Sequence, residues 1–240
     1  MPSKIIAIIP ARGGSKSVPL KNICPFLGKP LIVHSIDTAL SIPLIQRTIV
    51  STDSSIIAEI SRNAGAEVPF LRPGELANDD TLDFPVFEHC LKWLQENENF
   101  EPDERDIVLH LRPTSPLRTK EMVEQAIDLL LRHPEADSVR SVCAPSQNPF
   151  KMWTLAEDGF LKPLLDSGIS EAWNRPRQKL PHALWQNGYV DVTRAKTILE
   201  KKSMTGTRIL PLILDAQHTV DIDHEIMFEF AEMLYRRGKT

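Results

Sequence analysis

Apolar residues in this chain come in short blocks of two kinds, unbroken runs and runs with helical spacing. The stretch KIIAIIPA (4–11) is continuous and β-branched, as suits a strand buried on both faces of a parallel sheet. PLIVHSIDTALSI (30–42) predicts a helix opened by Pro30. RTIVST (47–52) is a second buried strand, ending at Asp53. DSSIIAEISRNAG (53–65) has an Asp cap, helical apolar spacing and a closing Gly65. AEVPFLRP (66–73) predicts a short strand, TLDFPVFEHCLKWLQEN (81–97) an amphipathic helix, and DIVLHLRP (106–113) another strand. TKEMVEQAIDLLLRH (119–133) then reads as a helix and DSVRSVC (137–143) as a strand.

Strand and helix thus alternate over the first ~140 residues, the signature of an α/β fold with a doubly wound parallel sheet. From about Ala144 to Gln186 the rhythm stops. This stretch holds several prolines, three of the four tryptophans and little periodicity, and is expected to be an inserted lobe or arm. Regularity returns with GYVDVTRAKTILEKK (188–202), a strand into a helix, and TRILPLIL (207–214). DIDHEIMFEFAEMLYRR (221–237) closes the chain as a helix with acidic residues at its start. The expected organisation is a single domain over 1–240, with 144–186 inserted.

Composition narrows the function more than the fold. Hydrophobic residues are 42% and charged residues 25% of the 240, ordinary for a globular chain with a sizeable core. The formal net charge is -4, which argues against a nucleic-acid-binding polycation and makes any basic site local. Cys24, Cys90 and Cys143 lie far apart without metal-ligand spacing; small buried apolar roles and a reducing cytoplasm are expected. No run reaches the roughly 20 apolar residues of a membrane span, and Pro10 and Arg12 interrupt the first apolar run too early for a signal peptide. The seven histidines are dispersed.

Against that background the loop after the first strand stands out. Arg12, Gly13, Gly14, Ser15, Lys16 and Lys21 follow the buried run directly, and in open α/β sheets ligands bind beyond the carboxyl ends of strands. Glycines let backbone N–H groups turn toward an anion, and the cations neutralise several phosphate oxygens. The spacing is neither G-x-x-x-x-G-K-[ST] nor G-x-G-x-x-G. Arg72 and Arg112 end two later strand candidates. Near the end of the chain Asp221 and Asp223 flank Ile222. On an extended stretch both carboxylates share a face, where a cation between them relieves their repulsion. Hard oxygen ligands suit Mg²⁺, which commonly combines one or two carboxylates with substrate phosphates. The alternative for this pair is a helix cap, because DIDHE opens a helix.

PARGGSKSVPLKN, IVSTD, RPGELANDD, LRPTSPLR, RPRQKLP, QNG and VDID occur here in the order seen in acylneuraminate cytidylyltransferases, and over nearly its whole length the chain resembles that family. The resemblance implies a Rossmann-like homodimer that couples CTP to a nine-carbon 2-keto acid sugar with Mg²⁺, releasing pyrophosphate. By position it implies that Arg12, Gly13, Gly14, Ser15, Lys16, Lys21 and Asn22 form the nucleotide loop. Lys21 would meet the phosphates, and Asn22 the cytosine or ribose. Arg72 falls on the nucleotide side, Asp221 and Asp223 on the metal, and Arg177, Gln186 and Asn187 on the sugar. Residues 144–186 correspond to the dimerisation arm. Arg12 and Lys21 would then be catalytic, placed where charge grows as pyrophosphate leaves, while Arg112 and Arg177 would clamp the sugar's carboxylate. Three departures bear on the sugar: Arg112 stands where the family usually has Gln, Trp185 where some members have Arg, and Asp191 enters a strand that is usually apolar. A sugar-1-phosphate nucleotidylyltransferase and a non-catalytic nucleotide-binding module are the rival readings.

Overall fold

The first apolar run forms β1 (Ile5–Pro10). Its side chains alternate between two buried faces: Ile5, Ala7 and Ile9 join one apolar cluster, Ile6 and Ile8 another. The structure, a computed structural model, describes residues 3–216 and 219–238; His218, one of the dispersed histidines, lies outside them. After β1 come the short β2 (Pro25–Phe26) and β3 (Lys29–Pro30), then α1 (Leu31–Leu40), β4 (Arg47–Ser51), α2 (Ser55–Asn63) and α3 (Asp83–Glu98). β5 (Ile107–His110), α4 (Lys120–Arg132) and β6 (Ser138–Cys143) follow. The irregular stretch carries only a small hairpin, β7 (Trp153–Leu155) with β8 (Leu161–Pro163). β9 (Trp185–Arg194), α5 (Ala195–Leu199), β10 (Ile209–Ile213) and α6 (Glu225–Gly238) complete the chain.

Six strands form one sheet in the order β10–β6–β9–β5–β1–β4. β1 runs parallel to β4 and β5, and β10 parallel to β6, whereas β9 is antiparallel to both its neighbours. Residues of α1, α2 and α4 pack into one apolar cluster and those of α3 and α5 into the other, so the sheet is covered on both sides, α/β and mostly parallel as the alternation predicts. The apolar pattern could not reveal the reversal of β9, because a strand buried on both faces reads alike in either direction. The reversal has a consequence for the site. It brings the beginning of β9 to the end of the sheet where β1 and β5 finish. There the pairing is irregular: Arg140 pairs with Asp191 and Val142 with Gln186. Ser141 alone therefore faces the four residues Asn187 to Val190. Its hydroxyl fills the gap, donating to Asn187 Oδ1 at 2.7 Å and accepting from the Val190 amide at 2.9 Å.

Three expectations need correction. AEVPFLRP is not a strand; its pairing with the sheet is a single bridge, Ile49 with Glu67. Pro69 follows two residues later and has no N–H to extend a ladder. The cap of α2 is Ser54, whose hydroxyl accepts from the Ile57 amide, rather than Asp53. The inserted stretch ends one residue before Trp185, since Trp185 and Gln186 already belong to β9.

At the opposite end of the sheet Asp137 ties β6, β9 and β10 together. Its carboxylate accepts from the amides of Thr207 and Arg208 at 2.9 and 3.1 Å and pairs with Lys201, while its backbone O accepts from the Arg194 amide. Burial pushes this carboxyl up, but Lys201 and the two amides outweigh burial and bring it down to about 2. Because the folded value lies below the unfolded one, the stabilisation is present above about pH 4 and is lost as the pH falls toward about 2. Asp137→Asn is expected to lower stability at pH 7 by roughly 1.5–3 kcal/mol. In urea titrations the gap to the wild type should close between about pH 4 and about pH 2; a gap independent of pH would contradict this account.

Candidate functional site

The sequence places cations after β1, and the fold turns them into one wall of a cleft of about 290 Å³ beyond the ends of β1 and β5. Leu20, in the left-handed region at φ 54°, turns the chain into a short 3-10 segment, Lys21–Ile23. That segment aims Lys21 across the molecule. Its ammonium donates to Ile222 O at 3.0 Å and to Asp223 Oδ1 at 3.1 Å, with only 13% of the side chain exposed.

The segment that receives Lys21 is held on its other side. Val220 and Ile222 pack with Phe26, Leu31 and Ala231. The Val220 amide donates to Tyr189 Oη at 2.7 Å and the Ile222 amide to Thr114 O at 2.8 Å. With the apolar residues turned inward, Asp221 and Asp223 are left as the acidic side of the strip. Asp221 Oδ1 is buried without a hydrogen-bond partner. Burial pushes the Asp221 carboxyl up; a hydrogen bond from Thr114 opposes that shift, and the charge of Asp223 adds to it. Among the described residues no group of three or more His, Cys, Asp or Glu side chains could hold a metal ion. Asp221 and Asp223 are not themselves lining residues of the cleft; they lie beside it, next to Lys21 and Thr114, which are.

Arg12, Lys21, Asn22, Arg72 and Arg112 all line the cleft. Arg12 pairs with Asp79 at 2.6 Å, and Lys16 pairs with the same carboxylate. These contacts, that of Lys16 first, hold the Asp79 carboxyl below its usual range. Asn22 is buried and donates to Arg12 O at 2.9 Å, which fixes the turn. Arg72 is buried too. It donates to Ser51 O and Leu76 O, and burial pulls it below its ordinary value. The two glycines differ. The Gly13 amide donates to Asp53 Oδ1 at 2.9 Å, so its anion is a side chain of the protein, whereas a side chain at Gly14 would meet open space. Neither glycine nor Ser15 lines the cleft.

The sugar-side candidates separate. Arg112 donates to Asp191 Oδ2 at 2.9 Å and to Asp83 Oδ2 at 3.1 Å. Gln186 accepts from Arg140 at 2.8 Å outside the cleft. Asn187 is buried in the bulge, with its Nδ2 lacking a partner. Arg177 lies in a different hollow bounded by Ala144, Pro145 and Asn148, where it donates to Pro145 O.

Several cleft residues were not singled out from the sequence. Asp79 and Asp83 stand in and just after the RPGELANDD stretch, where nothing local marks them as counter-ions. His110 ends β5 and is buried against Phe87, with ring centroids 4.6 Å apart. Burial keeps its imidazole well below the ordinary value, helped by Arg112, Arg118 and Arg140. Arg118 is buried under the floor, donating to Tyr189 O, to Ser35 Oγ at 3.0 Å and to Arg112 O at 2.9 Å. Burial pulls it down to about 9, so it stays charged at neutral pH. The LRPTSPLR motif contains this arginine, yet its spacing alone does not distinguish a buried brace from a surface charge.

The cytidylyltransferase family model matches residues 6–157. Over 235 residues the chain is 36% identical to the CMP-N,N'-diacetyllegionaminic acid synthase of Legionella pneumophila, covering 96% of each protein. It is 32% identical to the N-acylneuraminate cytidylyltransferase of Escherichia coli, where the match takes in 96% of this chain and 52% of that longer protein. Among solved structures, a CMP:2-keto-3-deoxy-manno-octonic acid synthetase complexed with CTP superposes with a TM-score of 0.70 at 18% identity, over 98% of this chain and 100% of that one. The 4-diphosphocytidyl-2C-methyl-D-erythritol synthase of Anaerococcus prevotii superposes at 0.66 and 14%, over 99% and 100%. These two likenesses concern the fold alone.

Tyr189 is the brace of the acidic strip that simple substitution can test. Burial raises its hydroxyl to about 12, although the Val220 contact opposes the shift, so the oxygen is neutral and accepts from that amide. Tyr189→Phe leaves the buried Val220 amide without this acceptor and is expected to cost about 1–3 kcal/mol in chemical denaturation. An unchanged unfolding midpoint would show that the contact does not brace the strip.

Proposed function

This chain belongs to the cytidylyltransferase family, and from that premise we propose that it transfers CMP from CTP to the anomeric hydroxyl of a sialic-acid-like 2-keto acid sugar, releasing pyrophosphate. The observation that carries the reading is the Lys21 bridge. It sets the cationic loop after β1 beside the Asp221–Asp223 strip, which supports a reading with positive groups on one side of a triphosphate and a carboxylate-held cation on the other. The relatives named for legionaminic and neuraminic acids support the choice of sugar class.

In this reading Arg12, Lys16 and Lys21 neutralise the phosphates, and Lys21 and Arg12 face the charge that grows as pyrophosphate departs. The donor set of Asp221 and Asp223 fits magnesium: both offer hard oxygens, and Asp221 Oδ1 is buried with no protein partner. When bound there, the ion would supply charge neutralisation to the triphosphate. Asn22 stands at the nucleoside side, and Arg112 at the side where the acid sugar enters. Arg177, remote from the cleft within one chain, acts in the partner's cleft if the stretch between β6 and β9 is a dimerisation arm. The hairpin of that stretch exposes 75% of Leu155, 73% of Phe160 and 63% of Leu161, apolar surface of the kind an interface covers. No helix of the described residues is long and apolar enough to cross a membrane. A cytoplasmic setting, beside CTP, belongs to the same proposal.

The experiment is pyrophosphate release with CTP and a panel of N,N'-diacetyllegionaminic, N-acetylneuraminic and pseudaminic acids. UTP, GTP and TTP with sugar 1-phosphates serve as the contrasting arm. Turnover is expected with CTP and a keto acid; turnover confined to the contrasting arm would favour a sugar-1-phosphate enzyme. Lys21→Ala and Asp223→Ala are each expected to lower kcat about 10²–10³-fold with the fold retained by circular dichroism. Near-normal release by both variants would contradict the assignment.

A further inference from the structure

Arg112 lies between two carboxylates of opposite character. Asp191, on β9, is buried, with 4% of its side chain exposed. It holds Arg112 Nη1 at 2.9 Å and Arg140 Nε at 3.2 Å, so two guanidiniums share it. Asp83, the first residue of α3, has 48% of its side chain exposed on the rim of the cleft and meets Arg112 Nη2 at 3.1 Å. A third acceptor, Gly188 O, lies 3.3 Å from Nη1. Gly188 has φ +71°, a left-handed conformation that favours glycine, and it packs against the Arg112 side chain, whose Cδ and Nη1 would lie in ordinary contact at 3.5 Å from a Cβ there. The nearby imidazole of His110, 3.7 Å from Asp83, is kept neutral by burial and adds no competing cation.

We propose that Asp191 is a positioning residue that fixes the Arg112 guanidinium at the cleft, and that Asp83 is an exchangeable counter-ion whose place the carboxylate of the acid sugar takes. The inference rests on the reading of function above and names the residues that set its preference for an acid. Asp191 cannot leave, because it is buried and held by Arg140 as well as by Arg112, and pulling a buried charge from its partners is costly. Asp83 can, because its pair is exposed and weak and water receives the released charge. The exchange replaces one carboxylate by another on a planar fork suited to both. A sugar without a carboxylate gains nothing by displacing Asp83 and finds the fork closed, so the same aspartate excludes neutral ligands.

The two aspartates touch one guanidinium, yet the proposal gives them opposite effects. The test is steady-state kinetics of the wild type, Asp83→Asn and Asp191→Asn with CTP and the acid of the above panel that the wild type uses best. Asp83→Asn is expected to lower KM for the acid about two- to fivefold. Asp191→Asn is expected to raise it about tenfold or more. The KM for CTP should stay within about twofold in both. If both variants shift the KM for the acid in one direction, or shift that for CTP equally, the inference is overturned while wild-type turnover leaves the reading of function standing. Asp83 is exposed, so its variant should fold, and an unchanged or raised KM for that variant alone also overturns the proposal. Absence of wild-type turnover with every acid overturns both.

Discussion

One ammonium group joins the loop after β1 to the acidic strip before α6. Lys21 Nζ reaches a carbonyl and a carboxylate at residues 222 and 223, some 201 positions away in sequence. The Lys21 side chain is 13% exposed and Asp223 is 63% exposed, so the carboxylate end of the contact is screened by water, while apolar packing of Phe26 and Leu31 joins the same two parts of the chain. The geometry of the contact depends on what lies around it. The left-handed Leu20 sets the turn, Phe26 and Leu31 supply the apolar bed for Val220 and Ile222, and Tyr189 and Thr114 take the amides of the strip. Without that bed the acidic strip would have no fixed height above the sheet, and the cations of the loop would face solvent.

The antiparallel β9 is the second constraint. A parallel strand at that position would deliver its end, rather than its beginning, to the cleft. As built, Asp191 stands opposite His110 at the end of β5, Gly188 and Tyr189 meet Arg112 and Arg118 just beyond it, and Ser141 closes the irregular pairing with β6. Tyr189 thereby serves both constraints, because its backbone O receives Arg118 while its hydroxyl receives Val220. The charged interior follows the rule that a buried ion needs partners. Arg118 has three acceptors and Arg72 two, and Asp191 lies between two guanidiniums.

Much of this was legible beforehand, for physical reasons. Both faces of β1, β4 and β5 are covered, so their residues are apolar without alternation and the α/β class can be read directly. The cations after β1 and the Asp221–Asp223 spacing stand out because nothing in a plain turn requires them. Strand direction was hidden, since side-chain burial is the same for both. The pairing of Asp83 and Asp191 on Arg112 joins three separate parts of the chain and leaves no local periodicity. The sequence offers Asp53 as the helix cap, yet its carboxylate binds the Gly13 amide while Ser54 takes the cap. Two adjacent residues capable of the same hydrogen bond cannot be ordered from sequence alone.

The central claim is that the cations after β1 and the carboxylates before α6 serve one triphosphate. A crystal structure with CTP and magnesium tests it most directly. The account predicts the phosphates against Arg12 and Lys21, with the metal on Asp221 and Asp223. Nucleotide density elsewhere, or phosphates held by only one of the two walls, would contradict it.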